Sequence, residues 1–311
     1  MHIFITGGTG LIGTALIHTL LHQGHIITVL TRDREKAEEK LGDKINFVTS
    51  SNDLKSLDEF DAVINLAGEP IAGKRWTKKQ KERLCSSRWD ITRKLTELIK
   101  SSDNPPSVFI SGSAVGYYGA QNDEVLTETS EPNEDFTNKL CTKWESLAIA
   151  AENMHTRVCI LRTGIVLSRN GGMLPLMSIP FKMGLGSILG SGKQYISWIH
   201  IQDMVNAIVF LLNTPEARGI FNMTAPHPVT NRRFSNVLSA VLYRPRFFRI
   251  PSSLIKLALG ESATMLIDGQ RAIPQHLIDM HYSFAFEDID DALAAVLKGK
   301  KHTTLKGLPP S

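Results

Sequence analysis

Four glycines, Gly7, Gly8, Gly10 and Gly13, close the apolar run His2-Ile-Phe-Ile-Thr6 and open the amphipathic run Thr14-Ala-Leu-Ile-His-Thr-Leu-Leu21. That placement suits a pyrophosphate, because glycines let the backbone turn sharply and approach the anion while free N–H groups and the positive end of a helix dipole attract it. Thr9, Leu11 and Ile12 complete the candidate cradle. A second apolar run ends Val29-Leu30-Thr31-Arg32, where a site for NAD would carry an acidic residue for the ribose hydroxyls. Arg32 stands there instead, after Thr31, and its planar fork suits the extra 2′-phosphate of NADP, so NADP(H) is the expected cofactor. Asp33 could in principle supply the acid, and is expected to cap the next helix. Leu66, Ala67 and Gly68, after Asn65, are small or apolar residues where adenosine would cross a sheet edge. Arg88, four before Thr92 on one helix face, is either a second phosphate contact or a surface arginine.

The elements that must hold these residues follow from periodicity. Strands are expected at His2 to Thr6, Ile26 to Thr31, Ile45 to Val48, Ala62 to Leu66, Val108 to Ser111, Val158 to Arg162 and Ile220 to Met223. Helices are expected between them at Leu11 to Leu21, Lys78 to Lys100, Lys139 to Glu152 and Gln202 to Leu212. The alternation predicts an α/β Rossmann fold, a doubly wound parallel sheet with a smaller, mostly helical C-terminal substrate lobe. The dinucleotide domain is expected over residues 1–225, with 164–196 contributing to the substrate lobe. That lobe would span 226–300, with helices at Arg233 to Tyr243, Ser252 to Leu259 and Ile289 to Leu297, and a solvated tail would follow over 301–311. Two stretches read as long functional loops, Gly112 to Asp135 and the Gly-rich passage Gly164 to Gly192.

With 311 residues, 42% hydrophobic and 21% charged, the chain has the composition of a soluble globular protein. The net charge of +4 is interspersed with 31 acidic residues, which argues against a nucleic-acid-binding surface. The densest basic cluster, Lys298, Lys300, Lys301 and His302, belongs to the expected tail. Cys85, Cys141 and Cys159 are too scattered for a disulfide framework, no apolar segment is long enough to span a bilayer, and no leader is expected before Ile3. A cytoplasmic protein without membrane contact is predicted. Met173, Met177 and Met183 read as adaptable wall residues, and no metal site is expected.

Taken together, Thr6 to Gly13, Asn65 to Pro70, Ser111 to Gly119, Lys143-Trp-Glu145, Arg162 to Leu167, Ser197-Trp-Ile-His-Ile-Gln-Asp203 and Gly269-Gln-Arg-Ala-Ile-Pro274 resemble the NAD(P)-dependent epimerase/dehydratase branch of the extended short-chain dehydrogenase/reductases. They are most similar to its atypical members with a C-terminal domain of unknown function, often labelled nucleoside-diphosphate-sugar epimerase-like. The resemblance implies a serine that binds the substrate oxygen, and Ser113 falls at that position. It also implies a tyrosine acid/base with a lysine four residues later, and no tyrosine here has one. Thr137 and Cys141 occupy the corresponding slots. Tyr117 or Tyr118, beyond Ser113, are the candidate proton donors, with Lys139 or Lys143 as possible sources of charge. His200 and Asp203 are read as a hydrogen-bonded linker histidine and a helix-capping aspartate in preference to an acid/base pair.

The resulting expectation is an NADP(H)-dependent oxidoreductase or epimerase-like enzyme for a small polar, nucleotide-linked or similar substrate. The rival is a non-catalytic NADP(H) sensor, and related folds suggest a homodimer through the helices spanning Lys78 to Lys100 and Lys139 to Glu152. Titration with NADPH and NADH, followed by cofactor fluorescence, should show NADPH binding more tightly. Arg32→Asp should weaken NADPH by about 10- to 100-fold, the worth of one or two charge-assisted hydrogen bonds, and abolish the preference. An unchanged preference would place the 2′-phosphate elsewhere.

Overall fold

Runs of β-branched and aromatic residues form seven strands in the computed structural model, which describes residues 1–299: β1 His2–Thr6, β2 Ile26–Leu30, β3 Asn46–Val48, β4 Ala62–Asn65, β5 Val108–Ala114, β6 Arg157–Thr163 and β7 Gly219–Met223. Lys300, Lys301 and His302 of the expected tail lie outside the described residues. The strands make one sheet in the order β7-β6-β5-β4-β1-β2-β3, parallel throughout. This is the doubly wound Rossmann arrangement, and the order reverses between β1 and β4, where such sheets bind ligands at the carboxyl ends of their strands.

Helices cover both faces, so the strands are apolar on both sides. Ile3, Ile5 and Ile64 point to α1 (Leu11–His22) and pack with Leu16, Ile17 and Leu20. Further along that face, Met204, Ile208 and Leu211 of the helix Ile201–Asn213 close the same core. Phe4, Val63, Phe109 and Val158 point the other way, onto Leu95, Leu98 and Ile99 of the helix Lys78–Ser101 and Ala148 of the helix Phe136–Ile149. β7, at the sheet edge, does not stay bare: the Asn222 N–H donates to Glu128 Oε1, and its side-chain amide donates to Ile273 O. Such cover removes a template for edge-to-edge pairing.

The Gly164 to Gly192 passage is more regular than its composition suggests. It contains the strands Ile165–Leu167 and Gly186–Leu189 and a ten-residue helix, Met173–Lys182. Pro175 lies in that helix's first turn, where an N–H has no intrahelical acceptor to lose, and Pro180 lies inside it. Prolines and flanking glycines hid the helical period from sequence reading. The Gly112 to Asp135 stretch likewise holds a 3-10 turn, Val115–Tyr118, and a short strand, Val125–Leu126, paired with Arg271–Ala272.

A second core forms from this passage and the C-terminal helices Asn231–Leu242 and Ile289–Lys298. Leu174, Phe181 and Trp198 meet Phe234, Leu238, Phe286 and Leu293. The link to the sheet is at His200 and Asp203, with the two roles exchanged relative to expectation. His200 caps the helix Ile201–Asn213, its Nδ1 accepting from Gln202 N, and its ring lies 3.9 Å from that of Phe286. Asp203, one turn in, accepts from Ala285 N at 2.7 Å and Phe286 N at 2.9 Å. Both are buried.

Burial pushes His200 down to about 4 and Asp203 up to about 6. A histidine lowered on folding contributes stability that is present above its unfolded value near 6.5 and is lost as pH falls toward 4. Asp203 acts with the opposite sign, since a raised carboxyl stabilises the fold toward acid. His200→Asn keeps a capping acceptor and removes only the histidine contribution. The stability advantage of the wild type over this variant should therefore grow by about 3 kcal/mol between pH 4 and 6.5, measured by urea unfolding across that range. A pH-independent difference would mean that His200 is not buried in its neutral form.

Candidate dinucleotide and substrate site

The glycine loop lies at the carboxyl end of β1, against the turn that follows β4. Gly7 has φ +72°, and a Cβ there would lie 2.5 Å from the Leu66 carbonyl, with Ala67 N at 2.8 Å. A Cβ at Gly13 would lie 2.3 Å from Gly7 O. Neither position has room for a side chain, so the loop is held tightly against Leu66 and Ala67, and the N-terminus of α1 is open. Gly10 begins α1 without a side-chain cap, and the first turn has no acidic residue. Other helices that flank the sheet, Arg34–Leu41, Lys78–Ser101 and Phe136–Ile149, are capped by the side chains of Asp33, Thr77 and Asp135. The N–H groups of Leu11, Ile12 and Gly13 in the first turn of α1, together with that of Thr9, fit the pyrophosphate of a dinucleotide, while the Gly10 N–H is used within the loop, donating to Gly7 O at 2.9 Å.

The ribose end is basic. Thr31 and Arg32 follow β2, and Asp33 is committed as the cap of Arg34–Leu41, accepting from Lys36 N. Arg32 lies near enough to Glu69 that it joins Lys74 and Arg83, Lys74 acting most strongly, in holding that carboxyl below its usual range. Lys40, which sequence reading passed over, reaches back from α2 (Arg34–Leu41) to donate to Thr9 O at 2.7 Å. Lys40 lies seven residues, about two helical turns, after the Asp33 cap, a spacing that places both on one side of the helix.

Arg88 is buried beneath the Gly68–Glu69 turn. Its guanidinium donates to Glu69 O and Leu84 O, both at 2.9 Å, and lies 5.2 Å from the Trp144 ring. It supports the turn bordering the cleft from below, with these donors aimed at backbone. Asn65 is held in the same way: it accepts from Thr6 Oγ1 at 2.6 Å and donates to Thr92 Oγ1 at 2.8 Å, tying β1, β4 and the helix Lys78–Ser101 together.

Beyond β5 the hydroxyl residues converge on a buried ion pair that sequence reading missed. Arg162, 1% exposed on β6, makes a two-pronged contact with Glu145: Nε to Oε1 at 3.0 Å and Nη2 to Oε2 at 2.9 Å. Burial alone would lower the Arg162 pKa, and the hydrogen bonds to Glu145 overcome that and raise it. Ser113 donates to Glu145 Oε1 at 2.6 Å. Tyr118 is fully enclosed, donating to Asn222 Oδ1 and accepting from Arg162, and burial pushes its phenol up to about 12. It therefore leaves the set of expected proton donors, since its hydroxyl has no surface and a tightly held proton. Tyr117 is half-buried, with its ring centre 3.4 Å from the Arg162 guanidinium carbon.

The slots of the absent tyrosine and lysine are structural. Thr137 donates to Asp135 Oδ1, and Cys141 is buried, its thiol pushed up to about 12 by burial first and by Glu145 second. Lys139 and Lys143 lie on the solvent side of the same helix. Among the described residues no group of His, Cys, Asp and Glu could hold a metal ion. No helix among them is long and apolar enough to cross a membrane.

A cavity of about 340 Å³ lies on the lobe side of this region, and its wall residue Met173 follows Gly172, which packs on Leu11 of the glycine loop. Ala72 and Gly73, just past the Gly68–Glu69 turn, form part of its wall, with Met173 and Met177 opposite and Phe234 and Leu266 from the C-terminal segment. Arg75 fixes this wall to the lobe by donating to the carbonyls of Leu257 and Ala258.

A Rossmann sheet with an uncapped glycine-rich helix start, a basic ribose edge and a second lobe beside it defines a dinucleotide-binding protein of the extended short-chain dehydrogenase/reductase type. The chain belongs to the NAD dependent epimerase/dehydratase family, whose model matches residues 3–224, and a domain of unknown function matches residues 250–296. It is 40% identical over 295 residues to the epimerase family protein SSP1921 of Staphylococcus saprophyticus, covering 94% of this chain and 98% of that one. It is 37% identical over 304 residues to the chloroplastic epimerase family protein SDR39U1 homolog of Arabidopsis thaliana, covering 96% and 87%. Among solved structures, human epimerase family protein SDR39U1 with NADPH superposes with a TM-score of 0.88 at 32% identity, covering 96% of this chain and all of that one.

Glu145→Ala would leave Arg162 buried without its carboxylate, and the unfolding free energy should fall by about 3–5 kcal/mol. Replacing both partners, Glu145→Leu with Arg162→Met, should recover most of that loss in denaturant titrations. An equal loss in the double variant would show that packing, and not charge pairing, governs the region.

Proposed function

We propose that the chain is an NADP(H)-dependent oxidoreductase or epimerase-like enzyme acting on a small molecule seated between the carboxyl edge of the sheet and the C-terminal lobe. The carrying observation is the open α1 cradle, with a 340 Å³ cavity nearby whose wall residue Met173 directly follows Gly172, the glycine that packs on Leu11 of the loop. The NADPH in the human relative supports the cofactor, as do Arg32 and Lys40 at the ribose edge. Three free cysteines, two of them buried, fit a reducing compartment such as the cytoplasm.

When bound, the reduced cofactor supplies a hydride to a substrate carbonyl carbon. Tyr117 gives its hydroxyl proton to the carbonyl oxygen, and solvent returns one to it. Its hydroxyl makes no hydrogen bond among the described residues, and Arg162 against its ring supplies a fixed positive charge where the superfamily places a lysine. Ser113 receives the substrate hydroxyl in the reverse direction: its own proton goes to Glu145, which leaves its lone pairs to accept.

A second reading, a cofactor-dependent binding protein without catalysis, draws support from the structural use of Thr137 and Cys141. Turnover separates the two. Tyr117→Phe should reduce kcat by about 100-fold or more on any carbonyl that the wild type reduces, with NADPH affinity unchanged. Full activity in Tyr117→Phe would remove the assignment, and absence of reduction across a carbonyl panel by NADPH-binding protein would favour the second reading.

A further inference from the structure

The cavity beside the cradle is lined almost wholly by carbon and thioether. No Lys, Arg, His, Asp or Glu contributes to its wall. Four polar side chains do: Ser187 donates to Leu185 O, Ser262 to Leu259 O and Ser235 to Ser187 O, while Asn231 Oδ1 accepts from Leu189 N and leaves only its side-chain amide N–H groups to donate. A diphosphate placed here would lose its hydration without gaining a cation or a set of free donors, at a cost of several kcal/mol. An apolar body would gain for every methylene buried.

Met173, Met177 and Met265 contribute flexible thioethers that adjust to the shape of what they enclose. The volume lies at the lower end of small-molecule sites, about 300–1,000 Å³, so the occupant is a compact molecule and not a protein segment. Met173 starts its helix directly after Gly172, where a Cβ would come within 3.0 Å of Leu11 Cδ2 in the glycine loop.

We infer that the substrate is an uncharged, largely apolar carbonyl compound whose hydrocarbon body fills this cavity, and not a nucleotide-linked sugar. The inference rests on the proposed reductase reading for the carbonyl, and on the wall chemistry alone for the apolar body. It replaces the polar, nucleotide-linked substrate expected from sequence. The hydrocarbon extends between Met177 and Phe234.

The test measures binding without turnover, so it stands apart from the fate of the reductase reading. Full-length protein with NADPH is loaded with the neutral fluorescent probe N-phenyl-1-naphthylamine, which is then displaced by straight-chain 2-alkanones from hexanone to dodecanone and by UDP and UDP-glucose. Alkanone affinity should rise about fourfold per added methylene until the cavity is full, and the uridine compounds should not compete. Leu176→Glu, on the half-exposed rim of the cavity (52%), should weaken the alkanones by at least tenfold with no change in thermal unfolding or NADPH affinity. Displacement by UDP-glucose, or alkanone affinity that does not depend on chain length, would overturn the inference. If NADPH itself fails to bind while the alkanones follow the series, the apolar site stands and the reductase reading falls.

Discussion

The pairing of Arg162 with Glu145 is the constraint around which the centre of the molecule is arranged. Burying a guanidinium in the middle of a sheet strand is costly unless the partner is fixed and the remaining donors are used. Here two of its nitrogens grip the carboxylate, the third meets the Tyr118 hydroxyl and Glu128 O, and the flat face lies on Tyr117. Satisfying one charge thus fixes β6, the helix Phe136–Ile149, the 3-10 turn after β5 and the loop that covers the edge strand β7. Ser113 and both tyrosines take their positions from it, so the hydroxyl groups near the cleft are placed by electrostatics at least as much as by backbone geometry.

Much of this was legible in the chain, and the parts that were not share a cause. The seven strands and four flanking helices of residues 1–225 follow from local periodicity, and the glycine cradle from residue types within one turn of each other. The fold and the cofactor edge are local signals. The Arg162–Glu145 pair joins residues 17 apart across a strand and a helix, and the Asn222–Glu128 contact joins residues 94 apart. No period announces such contacts. Arg162 could be read only as a charged residue ending an apolar run, a place where a surface arginine would look the same.

The exchange between His200 and Asp203 makes the same point on a smaller scale. Aspartate is the better helix cap by propensity, so sequence reading gave it that role. The structure instead uses its two acceptors on the backbone of Ala285 and Phe286, a segment 82 and 83 residues away, which only a carboxylate can satisfy with one side chain. The imidazole then serves as the cap. Burial keeps it neutral, which leaves Nδ1 free to accept, and the pairing that fastens the C-terminal segment to the sheet outranks the local preference.

The substrate side of the molecule departs furthest from what its relatives' names suggest, and the departure has a coherent form. Where the superfamily would set a tyrosine and a lysine on the helix Phe136–Ile149, the side chains face inward and pack: Thr137 to the helix cap, Cys141 among Leu140, Trp144 and Leu84. Where a nucleotide sugar would need cations, the wall is methionine, leucine and phenylalanine. A site that loses its acid/base pair while keeping its cradle could be drifting toward a simple cofactor binder. Drift, however, gives no reason for the cavity to be free of charged side chains, to have its three serine hydroxyls turned onto backbone, and to take a wall residue, Met173, from the helix that starts against Leu11 of the glycine loop. Those three features together are what the proposed apolar substrate requires, with Tyr117, on the turn beside Arg162, as the proposed proton donor in place of a residue on the helix.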